Sequence, residues 1–252
     1  MDEPSCEDAR VIRQEARARL KKGEAVKIFG HSDELSKWLE DSDVSEDSVK
    51  HLIYHAGGNI DHKLGDEVSF FLHAPFSDDC DDVKDKNDPS VVMQMRLYNN
   101  DTETNVLVTG DVTCEVIDDI VRITQNNDNE DYLKWDLYDI PHHCSTTGLC
   151  SNPDEGVTPT DNVQWLLEQS GSYAYIVASC KALVDADSPP PSAEAADAYK
   201  AYTGSDVTFC VTMEWRKKSS PEPMIFTVNE RGLKPKPPAS TVYFSSPAPR
   251  AG

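Results

Sequence analysis

Two stretches decide the fold: VLVTGD (Val106–Asp111) and LYDIPHHCS (Leu137–Ser145). Each starts with a short apolar run typical of a buried strand and ends in turn-forming and polar residues. Between them, the apolar spacing of Thr113–Gln125 predicts a helix. Because strand, helix and strand follow one another in this order, the sequence predicts an α/β fold.

The alternation of strand and helix continues from residue 105 onward, whereas the preceding residues read as short strands separated by acidic loops. The predicted helices of the later part are Thr113–Gln125, Thr160–Ser170 and Ser192–Tyr202, and its predicted strands are Asn105–Thr109, Trp135–Ile140, Tyr173–Ser179, Val207–Glu214 and Met224–Val228. In the part of the chain before residue 105, the predicted strands are Val26–Phe29, His51–Tyr54, Val68–Leu72 and Val91–Leu97. Acidic loops are predicted between them at Asp33–Asp47 and Asp78–Asp88.

The chain divides into three expected parts: an N-terminal helix in residues 1–24, the main α/β portion in residues 25–231, and a Pro-rich tail in residues 232–252. The first helix is predicted over Ser5–Lys22, with Ser5 as its N-cap and Gly23 at its end. The tail carries five prolines after Arg231, and we expect it to be disordered.

Composition excludes several classes of protein. The 252 residues carry 24 Lys and Arg against 45 Asp and Glu, a net charge of −21, which repels a phosphate backbone and excludes a generic nucleic-acid-coating protein. Nucleic acid is therefore expected only as a substrate.

No apolar run or N-terminal signal segment predicts a membrane association. Seven scattered cysteines without a CxxC pair indicate reduced thiols and a cytoplasmic protein.

Metal-competent side chains follow the two deciding strands. Asp111 ends the first stretch, and His142 and His143 lie near the end of the second. Ligands of α/β sheets collect beyond the carboxyl ends of the strands, so Asp111 and one of the two imidazoles are expected to face one site if the strands are neighbours. The alternatives are that Asp111 caps the following helix and that the histidines form a satisfied surface pair.

The run from Val68 to Ser179 resembles the C-terminal half of the metallo-β-lactamase-like hydrolase domain of competence (DNA-uptake) proteins and their stand-alone relatives. The resemblance rests on FLHAPF (Phe71–Phe76), NDPSVV (Asn87–Val92), TGD (Thr109–Asp111) and PHHCS (Pro141–Ser145), in the family's order and spacing. It implies an incomplete metallo-β-lactamase-like αββα sandwich, of which this chain supplies the C-terminal half.

The resemblance also implies a metal site. In it, Asp111 bridges two ions, Zn²⁺ or Mn²⁺, as the catalytic carboxylate, and His142 or His143 is a terminal metal ligand. A metal-bound water would attack a phosphodiester or an ester. Cys144 stands where the family has glycine, which adds a soft ligand or only a small side chain.

The family's main metal-binding motif, HxHxDH, is missing from this sequence. The seven histidines are His31, His51, His55, His62, His73, His142 and His143. The nearest run, His55–His62, has the wrong spacing and reads either as a displaced ligand loop or as a solvated turn. We therefore expect weak or absent metal binding by this chain alone, and a second chain or an upstream segment that carries HxHxDH.

Three functions follow as hypotheses. The first is the C-terminal part of a metal-dependent hydrolase that is active only when the missing half is supplied. The second is a non-catalytic binding or regulatory module that keeps the fold without a complete metal site. The third takes Cys144 or Cys114 as a nucleophile, with His142 or His143 as its base.

Overall fold

The computed structural model describes residues 6–81, 87–183, 190–215 and 222–236. The elements of the first half are α1 (Glu7–Lys22), β1 (Ile28–Phe29), α2 (Asp33–Asp41), α3 (Glu46–Val49), β2 (Ile53–Tyr54), β3 (Gly58–Asn59), β4 (Val68–Ala74), α4 (Ser77–Asp81) and β5 (Val92–Asn99). Those of the second half are β6 (Thr102–Val108), α5 (Cys114–Asn126), β7 (Trp135–Asp139), α6 (Asp161–Leu167), β8 (Ser170–Ala178), α7 (Ala193–Tyr202), β9 (Thr208–Val211), β10 (Phe226–Asn229) and β11 (Gly232–Pro235).

A seven-stranded mixed sheet organises the described residues. Its strands lie in the order β3-β4-β5-β6-β7-β8-β9, so every strand is next to its neighbour in the chain. Pairing is antiparallel from β3 to β6 and parallel from β6 to β9. The helices predicted between the parallel strands are present, which confirms the α/β class.

The main core lies on the face of the sheet that carries Leu107, Tyr138 and Ile176, and residues of α5, α6 and α7 pack into the same cluster. The apolar positions of α5 recur at helical spacing and are buried: Val116, Ile117, Ile120 and Val121. This packing fixes the parallel strands beside one another, and with them the loops that follow their carboxyl ends.

The N-terminal helix differs from its prediction only at its start. Cys6 is the N-cap, and its Sγ accepts a hydrogen bond from the amide of Ala9, whereas Ser5 lies outside the described residues. Gly23 ends the helix in the left-handed conformation with φ +70°, as predicted. Leu20 is buried in a second, smaller cluster with residues that follow it in the chain, among them Leu39 and Val49.

The acidic segment Asp33–Asp47 is not a loop, and that prediction was wrong. It forms α2 and α3, because Ser32 caps α2 through a hydrogen bond from the Leu35 amide to Ser32 Oγ, and two acidic residues occupy the first turn. In the second predicted acidic loop, Asp78–Asp88, the first residues belong to α4, and residues 82–86 lie outside the described part of the chain.

Ordered structure extends into the segment predicted to be a disordered tail. Gly232–Pro235 pairs with Phe226–Asn229 as an antiparallel hairpin, so the boundary at residue 231 was wrong. The hairpin is held because the ring of Phe226 packs on Tyr175 with centroids 5.1 Å apart, and the Thr102 hydroxyl donates to the carbonyl of Glu230. Residues 237–252 lie outside the described part of the chain.

Candidate functional site

Two loops meet at the carboxyl ends of β6 and β7. These strands are parallel neighbours, and Val108 of β6 lies opposite Asp139 of β7 in the register. The turn after β6 needs glycine, because Gly110 has φ +56° and a Cβ added there would lie 3.2 Å from the Cβ of Ser90. Gly110 thus turns the chain sharply and presents Asp111 beside the loop that follows β7.

The loop after β7 has an unusual backbone. His142, His143 and Cys144 have φ values of +50°, +53° and +64°, three successive non-glycine residues in the left-handed region. The amide of His142 donates to the carbonyl of Gly110 at 3.0 Å, which ties this loop to the turn after β6. Strained backbone of this kind persists only where surrounding contacts fix it, and it concentrates at functional sites.

The imidazole that faces Asp111 is that of His143. Its Nε2 lies 3.6 Å from Asp111 Oδ1, and its Nδ1 donates to the carbonyl of Ser179 at 2.8 Å. This hydrogen bond fixes the tautomer, so the neutral ring presents the lone pair of Nε2 toward Asp111. Both side chains reach solvent, with 51% of His143 and 40% of Asp111 exposed.

The neighbouring imidazole is engaged elsewhere. Nδ1 of His142 lies 3.1 Å from the hydroxyl oxygen of Thr147, within the turn that follows. The structure therefore brings Asp111 and His143 together and gives His142 a hydrogen-bonding position in the loop. The role of these three residues as metal ligands remains a prediction.

Sequence reasoning missed two members of the cluster, Asp139 and Ser179. The Ser179 hydroxyl donates to Asp139 Oδ1 at 2.8 Å, and Ser179 also anchors His143 through its carbonyl. Burial raises the pKa of Asp139, and the charge of Asp111 raises it further, whereas Ser179 and His143 act in the opposite direction. The signal for Asp139 was its position at the end of the strand that precedes the two histidines.

Asp111 and His143 do not by themselves satisfy a catalytic zinc or manganese ion. Such zinc sites take three protein ligands and a water, and a pair of ions needs more. Within residues 6–81, 87–183, 190–215 and 222–236, no group of three His, Cys, Asp or Glu side chains is placed to hold a metal ion. The described residues thus fall short of the two-metal centre that the family resemblance implies.

The run His55–His62, weighed as a displaced ligand loop, makes other contacts. His62 packs edge-on against the ring of Phe70, with centroids 5.1 Å apart, and its Nδ1 accepts a hydrogen bond from the amide of Leu64. The ring of His55 lies 6.1 Å from that of His31. These contacts are those of ordinary turn and packing residues.

A cysteine nucleophile is contradicted by the structure. Cys114 and Cys144 are both fully buried, and burial raises the pKa of each thiol to about 12. The Cys144 thiol points to the carbonyl of Ser192, at 3.8 Å. Because the thiolate is the nucleophile, protonated and enclosed thiols cannot act as one near neutral pH, and the hypothesis was wrong.

Comparison with models of protein families gave no match, and comparison with curated proteins gave no significant one. Within the described ranges, every helix is too short or too polar to cross a bilayer.

Proposed function

We propose that this chain is the C-terminal part of a metal-dependent hydrolase resembling the metallo-β-lactamase family, with phosphodiester or ester bonds as its substrates. Asp111 and His143 supply part of the metal site, and a second chain or another segment with HxHxDH supplies the remaining ligands. The observation that carries this proposal is the 3.6 Å approach of His143 Nε2 to Asp111 Oδ1 at the carboxyl ends of two parallel strands.

The tautomer of His143 supports a ligand role. Metal-binding histidines usually donate their second ring N–H to a carbonyl or carboxylate, which orients the ring. The Ser179 carbonyl accepts the hydrogen bond from Nδ1 of His143. The three successive left-handed residues of the loop place the ring at the carboxyl ends of β6 and β7. The chain's own contribution is therefore an oriented imidazole beside an accessible carboxylate.

The second face of the sheet is covered in part by the β10–β11 hairpin, whose Phe226 packs on Tyr175, the register neighbour of Leu137. On the same face Met93, Met95 and Leu137 are only half-buried, which is compatible with further covering by a missing half. An αββα sandwich would cover such a face with a second sheet, as the resemblance implies.

Titration of the purified chain with Zn²⁺ alone tests the metal site. We expect weak binding that Asp111→Asn and His143→Gln each weaken at least about tenfold, because each removes a ligand. His142→Gln is the matched control, since it alters the adjacent imidazole that does not face Asp111. Equal Zn²⁺ binding by the wild type and the Asp111 and His143 variants would contradict the proposal.

A second candidate function is a non-catalytic binding or regulatory module. It is favoured because the described residues include no group of three side chains placed to hold a metal ion. The same titration separates the two functions. Under this alternative, Zn²⁺ at millimolar concentration leaves the chain unchanged, and Asp111 and His143 form only an exposed pair.

A further inference from the structure

A cavity of about 280 Å³ lies between the sheet and the second half of α5. Its apolar walls are partly aromatic and include Phe71, Phe76, Ile120 and Ile123, whereas its polar lining includes His73, Thr124, Asn127 and Asn129. None of its described lining residues is Asp, Glu, Lys or Arg. Small-molecule sites typically combine apolar and aromatic walls with polar groups that fix orientation.

Two buried polar side chains line the cavity, His73 and Thr124. His73 is 3% exposed, and its Nε2 lies 2.9 Å from the carbonyl oxygen of Tyr132. A carbonyl only accepts, so Nε2 carries the proton, and Nδ1 is left with a lone pair. Within the described ranges, no group donates a hydrogen bond to that nitrogen. Burial lowers the pKa of His73 to about 4, so the ring is neutral near pH 7.

A second acceptor lies at the end of α5. Nδ2 of Asn127 donates to the carbonyl of Ile123 at 2.8 Å, and the amide oxygen of Asn127 remains as an acceptor. The carboxyl end of a helix also carries partial negative charge. The polar lining also includes Thr124 and Asn129, whose side chains can donate as well as accept. The group specific to a donating ligand is therefore the acceptor Nδ1 of His73.

The aromatic wall is held in place before any ligand binds. The ring of Phe71 stacks on that of Tyr132 with centroids 3.9 Å apart, and the Arg96 guanidinium lies 4.1 Å from the Tyr132 ring. The backbone of Tyr132 is the same group that anchors His73. A wall fixed in this way lowers the ordering cost of binding.

The cavity is separate from the Asp111–His143 pair. Asp111 precedes the first residue of α5, whereas the cavity is lined by the second half of that helix. A helix of 13 residues is about 20 Å long.

We propose that this cavity binds a small, neutral aromatic molecule that carries an O–H or N–H donor, a phenol being the simplest case. The ring packs against Phe71 and the isoleucines, and the donor reaches Nδ1 of His73. An ionised ligand is disfavoured because the described lining offers no charge to pair with it.

Binding of phenol and toluene to the whole chain, measured by saturation-transfer NMR and calorimetry, tests this inference. The two probes have the same shape and differ in the donor. A purely apolar cavity prefers toluene, which is the more hydrophobic, whereas a cavity with a buried acceptor prefers phenol. We expect phenol to bind about five- to tenfold more tightly than toluene.

Three variants complete the test. His73→Leu removes the acceptor and should abolish the preference for phenol while toluene still binds. Ile123→Trp fills the cavity without altering His73 and should weaken both probes at least about tenfold. Ile225→Trp, at an isoleucine that is 46% exposed outside the cavity, is the matched control and should bind both probes as the wild type does.

Several results would overturn the inference. These are binding of neither probe to the wild type, toluene binding as tightly as phenol, and an Ile123→Trp variant that binds both probes undiminished. The wild-type comparison and Ile123→Trp keep the test decisive if His73→Leu does not fold.

Discussion

At the residue scale, the strained loop after β7 decides which imidazole meets Asp111. A left-handed conformation costs a non-glycine residue about 1–2 kcal/mol, and His142, His143 and Cys144 adopt it in succession. The hydrogen bonds of His142 to Gly110 and of His143 to Ser179 hold the strained arrangement. The sequence showed two adjacent histidines near a strand end, but it could not choose between them, because the choice depends on these φ angles.

His73 makes stability depend on pH. Its pKa is lowered from 6.5 to about 4 by burial, so between these pH values the unfolded chain binds more protons than the folded one. The free energy of unfolding therefore falls as pH falls through this window, by about 3 kcal/mol for the whole shift.

Denaturant titrations at several pH values check this expectation. Because His73→Leu removes the titrating group, its free energy of unfolding should fall less steeply between pH 6.5 and pH 4 than that of the wild type. The comparison with the wild type cancels the contribution of carboxylates that titrate in the same range. Parallel curves for the two proteins would contradict the assigned role of His73.

At the element scale, short polar signals set the helix boundaries. Thr160 begins α6 by accepting a hydrogen bond from the amide of Val163, and its hydroxyl also donates to Asp118 of α5 at 2.5 Å. Ser32 begins α2 by accepting from the amide of Leu35 alone. Thr160 therefore joins two helices, whereas Ser32 caps only its own.

The variants Thr160→Ala and Ser32→Ala measure this difference. We expect Ser32→Ala to cost about 1 kcal/mol of unfolding free energy, the usual value of an N-cap. Thr160→Ala should cost about 2 kcal/mol, because it also removes one of the hydrogen-bond donors of the half-buried Asp118 carboxylate, the other being Asn162. Equal losses in urea denaturation would show that the link between α5 and α6 contributes nothing.

The predicted helices and parallel strands of the later part were recovered because apolar periodicity and caps are local signals. The helices α2 and α3 were missed because clustered acidic residues were taken as a loop signal, although Ser32, Leu35 and Leu39 have helical capping and spacing. The hairpin at Gly232–Pro235 was missed because its stability comes from long-range contacts, such as the packing of Phe226 on Tyr175.

At the scale of the whole molecule, two clusters of unequal size hold the described residues together. The main cluster contains 27 buried residues, mainly from the sheet and α5–α7, whereas the cluster around Leu20 and Leu39 contains five. Free energy of local opening rises with buried apolar contact. The part formed by α1, α2, β1 and β2 is therefore expected to open first.

Hydrogen exchange measured by mass spectrometry tests this order of opening. Amides of α1 and α2 should exchange faster than those of β6, β7 and α5, at neutral pH and without denaturant. Equal protection of both regions would show that the molecule opens only as one cooperative unit.

The central claim is that Asp111 and His143 bind one ion together, and anomalous diffraction from crystals soaked in Zn²⁺ tests it most directly. The predicted result is a zinc peak about 2.0–2.2 Å from both His143 Nε2 and an Asp111 carboxylate oxygen. This peak should be lost in Asp111→Asn and retained in His142→Gln. Zinc bound away from this pair, or no ordered zinc at a concentration that saturates the chain in solution, would contradict the claim.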